Sequence, residues 1–256
     1  MPDECSTPPA CAHHASAAVC IGSEISRALP LMLSAIGDIT SIAITEIAAV
    51  PRMQERLADA QAAESLLDIV EKERAESNLP FWDAVLFALP YESSFVRNDV
   101  SAAALFHQQT ARIPNKESLP VGPSLGDTLA ARAAQIRTGR LLVVSSLIKL
   151  ASGAPAHVPM LDFRIPPTPA HKELVCELAH HLNLGGWILE SGRSYHFYGA
   201  TLLDHDQFRN FLGRALLFQP VVDARWIAHQ LMEGAAALRV SKGGPFQITP
   251  RIVDVV

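Results

Sequence analysis

The sequence predicts an α+β protein in which a helical region, residues 15–155, precedes a sheet-containing domain, residues 156–256. Two observations support this class. Strong helix formers with 3.6-residue apolar periodicity dominate the first part, whereas short apolar segments bounded by glycine, proline and aspartate dominate the second. The segment SGAPAHVP, residues 152–159, interrupts both patterns, and we place the domain boundary there.

Composition and charge narrow the possible functions. Hydrophobic residues make up 49% of the 256 residues and charged residues 18%, which indicates a largely buried, folded chain. The net charge is −5, and residues 157–256 carry nine Lys and Arg against nine Asp and Glu. The first 156 residues carry the whole negative balance, so they are poorly suited to clamp a polynucleotide, and any contact with nucleic acid is expected to be local.

The N-terminus is interpreted as a flexible leader, residues 1–14, because it is rich in alanine, proline and serine. A zinc site is the alternative, although the spacing lacks a CxxC pair. Its possible ligands are Cys5, Cys11, His13, His14 and Cys20. Cysteine usage and the absence of a signal-peptide pattern predict a cytoplasmic location. The apolar run 29–50 contains Asp38 and Glu46, which predicts a buried helix or helix pair and no membrane contact.

The helical region is predicted to contain several further helices. Residues 53–77 are strong helix formers with an apolar stripe, and residues 81–89 form a short apolar helix before Pro90. Asn98 or Asp99 is a candidate cap for a helix to residue 112, and Ser124 or Asp127 for one to residue 150. The region carries no chemical signal, and we expect it to provide a docking surface for a protein partner or only its own core.

The second domain is predicted to alternate strands and helices. The predicted strands are 158–165, 187–190, 195–202, 236–241 and 247–255, and the predicted helices are 170–182, 204–218 and 223–233. This β-α-β-β-α-(α)-β-β order is that of an RRM-like fold, in which an antiparallel sheet has helices on one face.

The stretch GWILESGRSYHFYG, residues 186–199, contains the strongest chemical signal. It predicts two strands joined by a turn at Ser191-Gly192-Arg193, with His196 shortly after the turn. A hydroxyl, a guanidinium and an imidazole at one hairpin are suited to bind a triphosphate. Arg239 and Lys242, before Gly243-Gly244, are further candidate phosphate ligands.

Two aspartates are candidate metal ligands on either side of this hairpin. Asp162 and Arg164 alternate with Leu161 and Phe163, so they are expected on one face of a strand. Asp162 is therefore expected to be solvated, paired with Arg164 or bound to a metal. Asp223 precedes a helix, so a helix cap competes with a metal role.

The order of these motifs resembles the archaeo-eukaryotic primase superfamily, which includes the primase-polymerases. The similar segments are Met160-Leu161-Asp162-Phe163-Arg164, then Ser191-Gly192-Arg193-Ser194-Tyr195-His196, then Val221-Val222-Asp223. The resemblance covers residues 158–256 and implies an RRM-like primase-type catalytic core. This chain departs from the family pattern at Arg164, where the family has a second acidic residue.

The resemblance implies a nucleotidyltransferase that makes or extends oligonucleotides in replication, repair or a mobile-element or defence context. Asp162 and Asp223 would bind Mg²⁺ or Mn²⁺, with His196 as a third catalytic residue. Ser191, Arg193, His196, Arg239 and Lys242 would bind a nucleoside triphosphate, and single-stranded DNA or RNA would be the template. An aromatic side chain could stack on a base, from Trp187, Tyr195 or Tyr198. Because Arg164 weakens a two-metal site, a degenerate primase-like module that binds nucleotide or nucleic acid and acts through protein partners is the alternative.

Overall fold

The computed structural model of the protein describes residues 21–49, 64–77, 79–105 and 116–256. The predicted leader and the alternative zinc ligands lie outside these ranges. The chain divides into two compact units, one formed by residues 50–108 and the other by residues 1–49 together with 109–256. The predicted boundary near residue 155 falls inside the second of these units.

The described elements are named in chain order. The α-helices are α1 (Ile25–Ile36), α2 (Glu64–Ser77), α3 (Phe81–Ala88), α4 (Ser94–Ala104), α5 (Leu125–Ala134), α6 (Pro169–Leu182), α7 (His205–Ala215) and α8 (Ala224–Glu233). The strands are β1 (Ile39–Ala48), β2 (Glu117–Pro120), β3 (Arg140–Leu150), β4 (Pro155–His157), β5 (Met160–Asp162), β6 (Gly186–Glu190), β7 (Tyr195–Gly199), β8 (Ala237–Arg239) and β9 (Arg251–Val255). Short 3₁₀ turns follow α3 and α7.

The unit of residues 50–108 is helical where it is described, as the sequence predicts. Its helices α2, α3 and α4 bury an apolar cluster that includes Leu66, Trp82 and Val100. The start of α4 differs from the prediction. Ser93 caps the helix, with its Oγ accepting a hydrogen bond from the backbone N–H of Val96 at 3.3 Å, so the helix begins before Asn98.

The larger unit contains a five-stranded antiparallel sheet in the order β2-β1-β3-β4, in which β8 also pairs with β3. The prediction of helix was wrong for β1, residues 39–48, and for β3, residues 140–150. The β3 sequence is a nearly continuous apolar run, buried from Leu141 to Ser146, and such a run does not distinguish a buried strand from a buried helix. Because β8 pairs with β3, this sheet joins residues from both sides of position 155.

A second, four-stranded antiparallel sheet has the order β5-β7-β6-β9. Its strands and the helices α6, α7 and α8 lie close to their predicted positions, and the α+β class is confirmed. The RRM-like arrangement is not confirmed. Strand β8 belongs to the five-stranded sheet, and β9 pairs with β6 instead of with β5, the first strand of the predicted domain.

One hydrophobic core includes side chains of both sheets and of the helices around them, among them Leu33, Val144, Phe163, Ile188 and Phe208. Both sheets are therefore parts of a single folded unit. In the described part of the chain, no helix is long and apolar enough to cross a membrane.

Candidate functional site

Asp162 and Asp223 are held together by the backbone. Asp162 is the last residue of β5, and its carbonyl oxygen accepts a hydrogen bond from the Asp223 N–H at 2.9 Å. Phe163, which follows Asp162, and Val222, which precedes Asp223, form an antiparallel bridge. Two aspartates that are 61 positions apart in the sequence thus become neighbours. This juxtaposition results from an isolated backbone bridge between the segment that follows β5 and the segment that precedes α8.

Asp223 fulfils the predicted role of helix cap. Its Oδ1 accepts a hydrogen bond from the Trp226 N–H at 2.9 Å at the start of α8. A carboxylate has two oxygens, so the cap leaves Oδ2 able to bind a ligand. The cap and a metal role are therefore compatible at this residue.

His196 lies beside Asp162 on the neighbouring strand. The two residues are direct cross-strand partners, and Asp162 Oδ1 lies 3.6 Å from His196 Nε2. Burial, with a smaller contribution from the Arg239 charge, lowers the pKa of His196 to about 3. The imidazole is therefore neutral at physiological pH. Its Nδ1 is buried and has no hydrogen-bond partner among the described residues.

The Asp162 carboxyl is in an unfavourable environment for a charge. Burial raises its pKa well above the ordinary value, and the nearby Asp223 charge raises it further, while Arg239 acts in the opposite direction. Its side chain nevertheless keeps 26% of its surface exposed. A cation bound beside Asp162 would therefore relieve an electrostatic cost that the fold itself imposes.

The turn between β6 and β7 is confirmed. The Ser191 N–H donates to the Ser194 carbonyl at 2.9 Å, and the Ser191 hydroxyl contacts the Ser194 carbonyl and hydroxyl, each at 3.1 Å. Gly192 has φ +94°, and a Cβ there would lie 2.8 Å from the side chain of Ile248. Glycine is thus required at this turn for conformation and for space.

Arg239 is buried, and it stabilises the turn between β6 and β7 through hydrogen bonds to backbone carbonyls. Its guanidinium donates to the backbone carbonyls of Ser191, of Ser241 at 2.9 Å and of Ile248 at 2.8 Å. Burial lowers its pKa to about 10, and the negative charge of Asp162 partly opposes that shift. Because its N–H groups bind these three carbonyls, Arg239 positions the backbone segments that contain them, in addition to supplying a positive charge.

Arg193 and Lys242 are the exposed cations of the predicted set. Arg193 lies over the Phe246 ring at 5.8 Å from the centroid, and Arg239 lies over the same ring at 4.6 Å. Lys242 precedes a tight turn in which Gly243 and Phe246 exchange backbone hydrogen bonds. The sequence did not indicate Phe246, since an isolated aromatic residue after a glycine pair gives no recognisable signal.

Two expectations about this region were wrong. The rings proposed to stack on a base, those of Trp187, Tyr195 and Tyr198, are all buried. The possible Asp162–Arg164 pair is replaced by other contacts, because β5 ends at Asp162 and Arg164 is exposed. Arg239, which comes from the other sheet, is the cation that acts on Asp162.

The donors around Asp162 fit one divalent cation better than two. Among the described residues, no group of three or more His, Cys, Asp or Glu side chains is arranged to hold a metal ion. Mg²⁺, however, is commonly bound by one or two carboxylates together with substrate phosphates and water. The Asp162–Asp223 pair meets that requirement, whereas Arg164 occupies the position of a second acid.

A family model described as archaeo-eukaryotic primase 1D-like matches residues 125–247. This match, over slightly less than half of the chain, supports the resemblance to the archaeo-eukaryotic primase superfamily. The match includes α5, β3 and β4, so the primase-like region begins earlier than the sequence motifs indicated. No curated protein and no solved structure matches the chain.

All three predicted motifs lie in the matched segment. The structure brings Asp162, Asp223 and His196 together and places Arg239 beside them. Ser191 is tied to Arg239 through its carbonyl, and Arg193 and Lys242 project from two neighbouring turns.

Proposed function

We propose that the chain is a primase-polymerase-type nucleotidyltransferase that binds a nucleoside triphosphate with a divalent metal and makes or extends oligonucleotides. The observation that carries this proposal is the pairing of the Asp162 and Asp223 backbones beside His196, inside a segment that matches the primase-like family. Primase-like families imply nucleotide and nucleic-acid substrates, and single-stranded DNA or RNA is proposed as the template.

Asp162 and Asp223 are proposed to hold Mg²⁺ or Mn²⁺. When bound, such a cation lowers the pKa of an attacking hydroxyl and neutralises charge on the phosphates. The chain itself contributes positioning: β5 and the start of α8 fix the two carboxylates, while Asp223 remains anchored as a helix cap. Preorganised groups of this kind contribute much of the rate enhancement in phosphoryl transfer.

The triphosphate is proposed to contact the two turns that follow β6 and β8. Arg193 and Lys242 are exposed there and can reach a ligand, whereas the Ser191 hydroxyl and the Arg239 guanidinium are largely engaged within the protein. The neutral His196 can donate or accept a single hydrogen bond without adding charge. We therefore assign most of the phosphate recognition to Arg193 and Lys242, with Ser191, His196 and Arg239 shaping the site.

The proposal is tested by primer extension with Mg²⁺ or Mn²⁺, preceded by calorimetric binding of a nucleoside triphosphate to the wild type and to His196→Ala. Asp223→Asn removes the charge but keeps a good helix cap. Its matched control is Asp204→Asn, because Asp204 caps α7 in the same way, with Oδ1 accepting from the Gln207 N–H at 2.8 Å.

We expect Asp223→Asn and Asp162→Asn to lower the extension rate by about 10²–10³-fold, since each removes electrostatic stabilisation of the transition state. Asp204→Asn should leave the rate unchanged. Equal rates for Asp223→Asn and Asp204→Asn would overturn the assignment of Asp223.

One observation favours a second function, that of a catalytically degenerate module that binds nucleotide or nucleic acid and acts through protein partners. Arg164 is exposed two residues after Asp162, at the position where the resemblance implies a second acid, and its backbone N–H donates to the Val221 carbonyl at 2.8 Å. Arg164→Glu in the same assay discriminates the two functions. An inactive wild type with an active Arg164→Glu variant supports the degenerate module, whereas an active wild type supports the enzyme.

A further inference from the structure

A second cluster of charged side chains lies in the larger unit and shares no residue with the candidate site. It surrounds a cavity of about 340 Å³ at the start of β3. Arg132 from α5, Arg137 from the turn after α5, and Arg140 from the first position of β3 all line this cavity. Cavities of about 300–1,000 Å³ are typical of small-molecule sites, so the space accepts a ligand larger than a bare ion.

Two of the three arginines are paired with glutamates. Arg132 Nη2 lies 2.8 Å from Glu117 Oε1, and Arg140 Nε lies 3.3 Å from Glu46 Oε2. Arg140 is further fixed by a 2.8 Å hydrogen bond from its Nη2 to the Glu46 carbonyl. These pairs orient both guanidinium groups, and each keeps other N–H groups that are not used in the pair.

Arg137 is the third guanidinium, and in the described part of the chain its side chain has no ion pair or hydrogen bond. A turn closed by the bond from the Arg140 N–H to the Arg137 carbonyl, at 3.1 Å, keeps these two arginines close together. Among the residues that the structure describes, the cavity lining thus carries three positive and two negative side chains. One positive charge remains uncompensated, which favours an anion.

The guanidinium and carboxylate groups that line the cavity favour some anions over others. Guanidinium groups bind phosphate through pairs of parallel hydrogen bonds. Glu46 and Glu117, at the sides of the same cavity, can accept hydrogen bonds from hydroxyl or N–H groups. A nucleotide combines a phosphate with such donors, and the cavity volume lies in the range of small-molecule sites.

The cavity also adjoins the loop that carries Lys242. A Cβ on Gly243 would lie 2.4 Å from the Arg140 carbonyl oxygen, so the loop backbone packs directly on the first residue of β3. The Leu142 N–H, on the same strand, donates to the Ser241 hydroxyl at 3.0 Å. The arginine cluster and the predicted triphosphate loop therefore border the same end of β3.

We propose that this cavity, which we name the arginine pocket, binds the phosphate group of a nucleotide, either free or within an oligonucleotide. Arg137 supplies the uncompensated charge, and Arg132 and Arg140 supply oriented N–H donors. The pocket does not use Asp162 or Asp223, so it is expected to bind without a metal. This site goes beyond the proposed function, because it provides a second phosphate contact outside the candidate catalytic cluster.

The test measures binding to the full chain in the presence of EDTA, which removes any contribution of a metal-dependent site. The probes are AMP, adenosine and a short single-stranded oligonucleotide. Arg137→Gln is compared with Arg209→Gln, a matched control that changes an exposed arginine on α7. Glu117→Gln is the second variant, because it frees Arg132 from its carboxylate partner.

We expect AMP or the oligonucleotide to bind the wild type, and adenosine to bind much more weakly. Arg137→Gln should weaken phosphate binding by about tenfold, and Glu117→Gln should strengthen it by about two- to fivefold. Arg209→Gln should match the wild type for AMP. Binding of AMP identifies free nucleotide as a ligand, whereas binding of the oligonucleotide alone identifies backbone phosphate, and both support the pocket.

Three results would each overturn the proposal: no binding of either phosphate probe to the wild type, equal affinities of Arg137→Gln and Arg209→Gln for every phosphate probe that binds, or measurable binding of AMP and adenosine to the wild type with equal affinities. Failure of the primase assay leaves this test intact, because that assay depends on Asp162 and Asp223.

Discussion

The charged groups around Asp162 and those of the arginine pocket belong to the same folded unit, but their environments differ. Arg239 and His196 are buried, and burial is the largest cause of the shifted pKa values of both groups and of Asp162. In the arginine pocket the side chains of Arg132, Glu117, Arg140 and Glu46 keep between 38% and 48% of their surface exposed.

This difference in burial gives the charged side chains of the two regions different roles. Inside the protein, a charged group must satisfy its hydrogen bonds locally, and it then fixes the conformation of the segments that it joins. At the surface, water competes for each ion pair, so the pairs stabilise the fold little and remain available to a ligand. Three predictions examine this contrast, beginning with the largest expected effect.

Replacing the buried arginine is expected to destabilise the protein strongly. Arg239→Ala leaves the backbone carbonyls of Ser191, Ser241 and Ile248 without their buried donor, so we expect a loss of about 3–5 kcal/mol in the free energy of unfolding. Urea denaturation provides the measurement. Arg193→Ala is the control, because Arg193 is exposed, and it should change stability by no more than about 0.5 kcal/mol. Similar losses for the two variants would contradict the contrast between buried and exposed charges.

The buried His157 is expected to make stability depend on pH. Burial and the nearby His205 charge lower its pKa from 6.5 to about 4, so between these values the unfolded chain binds a proton that the folded chain does not. The contribution of His157 to the free energy of unfolding should therefore rise by roughly 3 kcal/mol as the pH increases from about 4 to 6.5, and then remain level.

His157→Gln removes this titration, so its stability should rise less steeply over the same pH range. His181→Gln, which replaces an exposed histidine on α6, is the control and should keep the slope of the wild type. An unchanged slope in His157→Gln would show that His157 is not the source of the pH dependence.

The exposed pair Arg132–Glu117 is expected to have the smallest effect on stability. A double-mutant cycle of Arg132→Gln and Glu117→Gln should give a coupling energy below about 1 kcal/mol, although the atoms are 2.8 Å apart. Thermal or urea unfolding of the four proteins provides the measurement. A coupling energy similar to the loss in Arg239→Ala would mean that the pair is shielded from water.

The local elements of the second half of the chain were predictable because their signals are local. Helix α6 begins after the cap Thr168 and ends at Asn183, and the hairpin between β6 and β7 follows from glycine at its turn. The candidate residues Asp162, His196 and Asp223 were recognised from the order of short motifs. The resemblance to the primase superfamily followed from that order, and the family-model match to residues 125–247 confirms this resemblance.

The predictions from the sequence were wrong where the identity of a residue does not determine which other residues it contacts. The apolar run of β3 is compatible with a buried helix, and only its pairing with β1, β8 and β4 makes it a central strand. Tyr195 and Tyr198 have the composition of a stacking surface, but the sheet buries both rings. Similarly, Arg164 is the nearest arginine to Asp162 in sequence, whereas Arg239 is the arginine that acts on it.

The sequence by itself determined the α+β class, the helices and strands after residue 160, and the resemblance to the primase superfamily, because capping, turn residues and motif order act over a few neighbouring positions. The tertiary structure alone decided which charges meet. An isolated backbone bridge joined Asp162 to Asp223, strand pairing joined Asp162 to His196, and the pairing of β8 with β3 brought Arg239 to the same place. It also decided which charges are buried, and burial sets the pKa values and the energetic cost of each group.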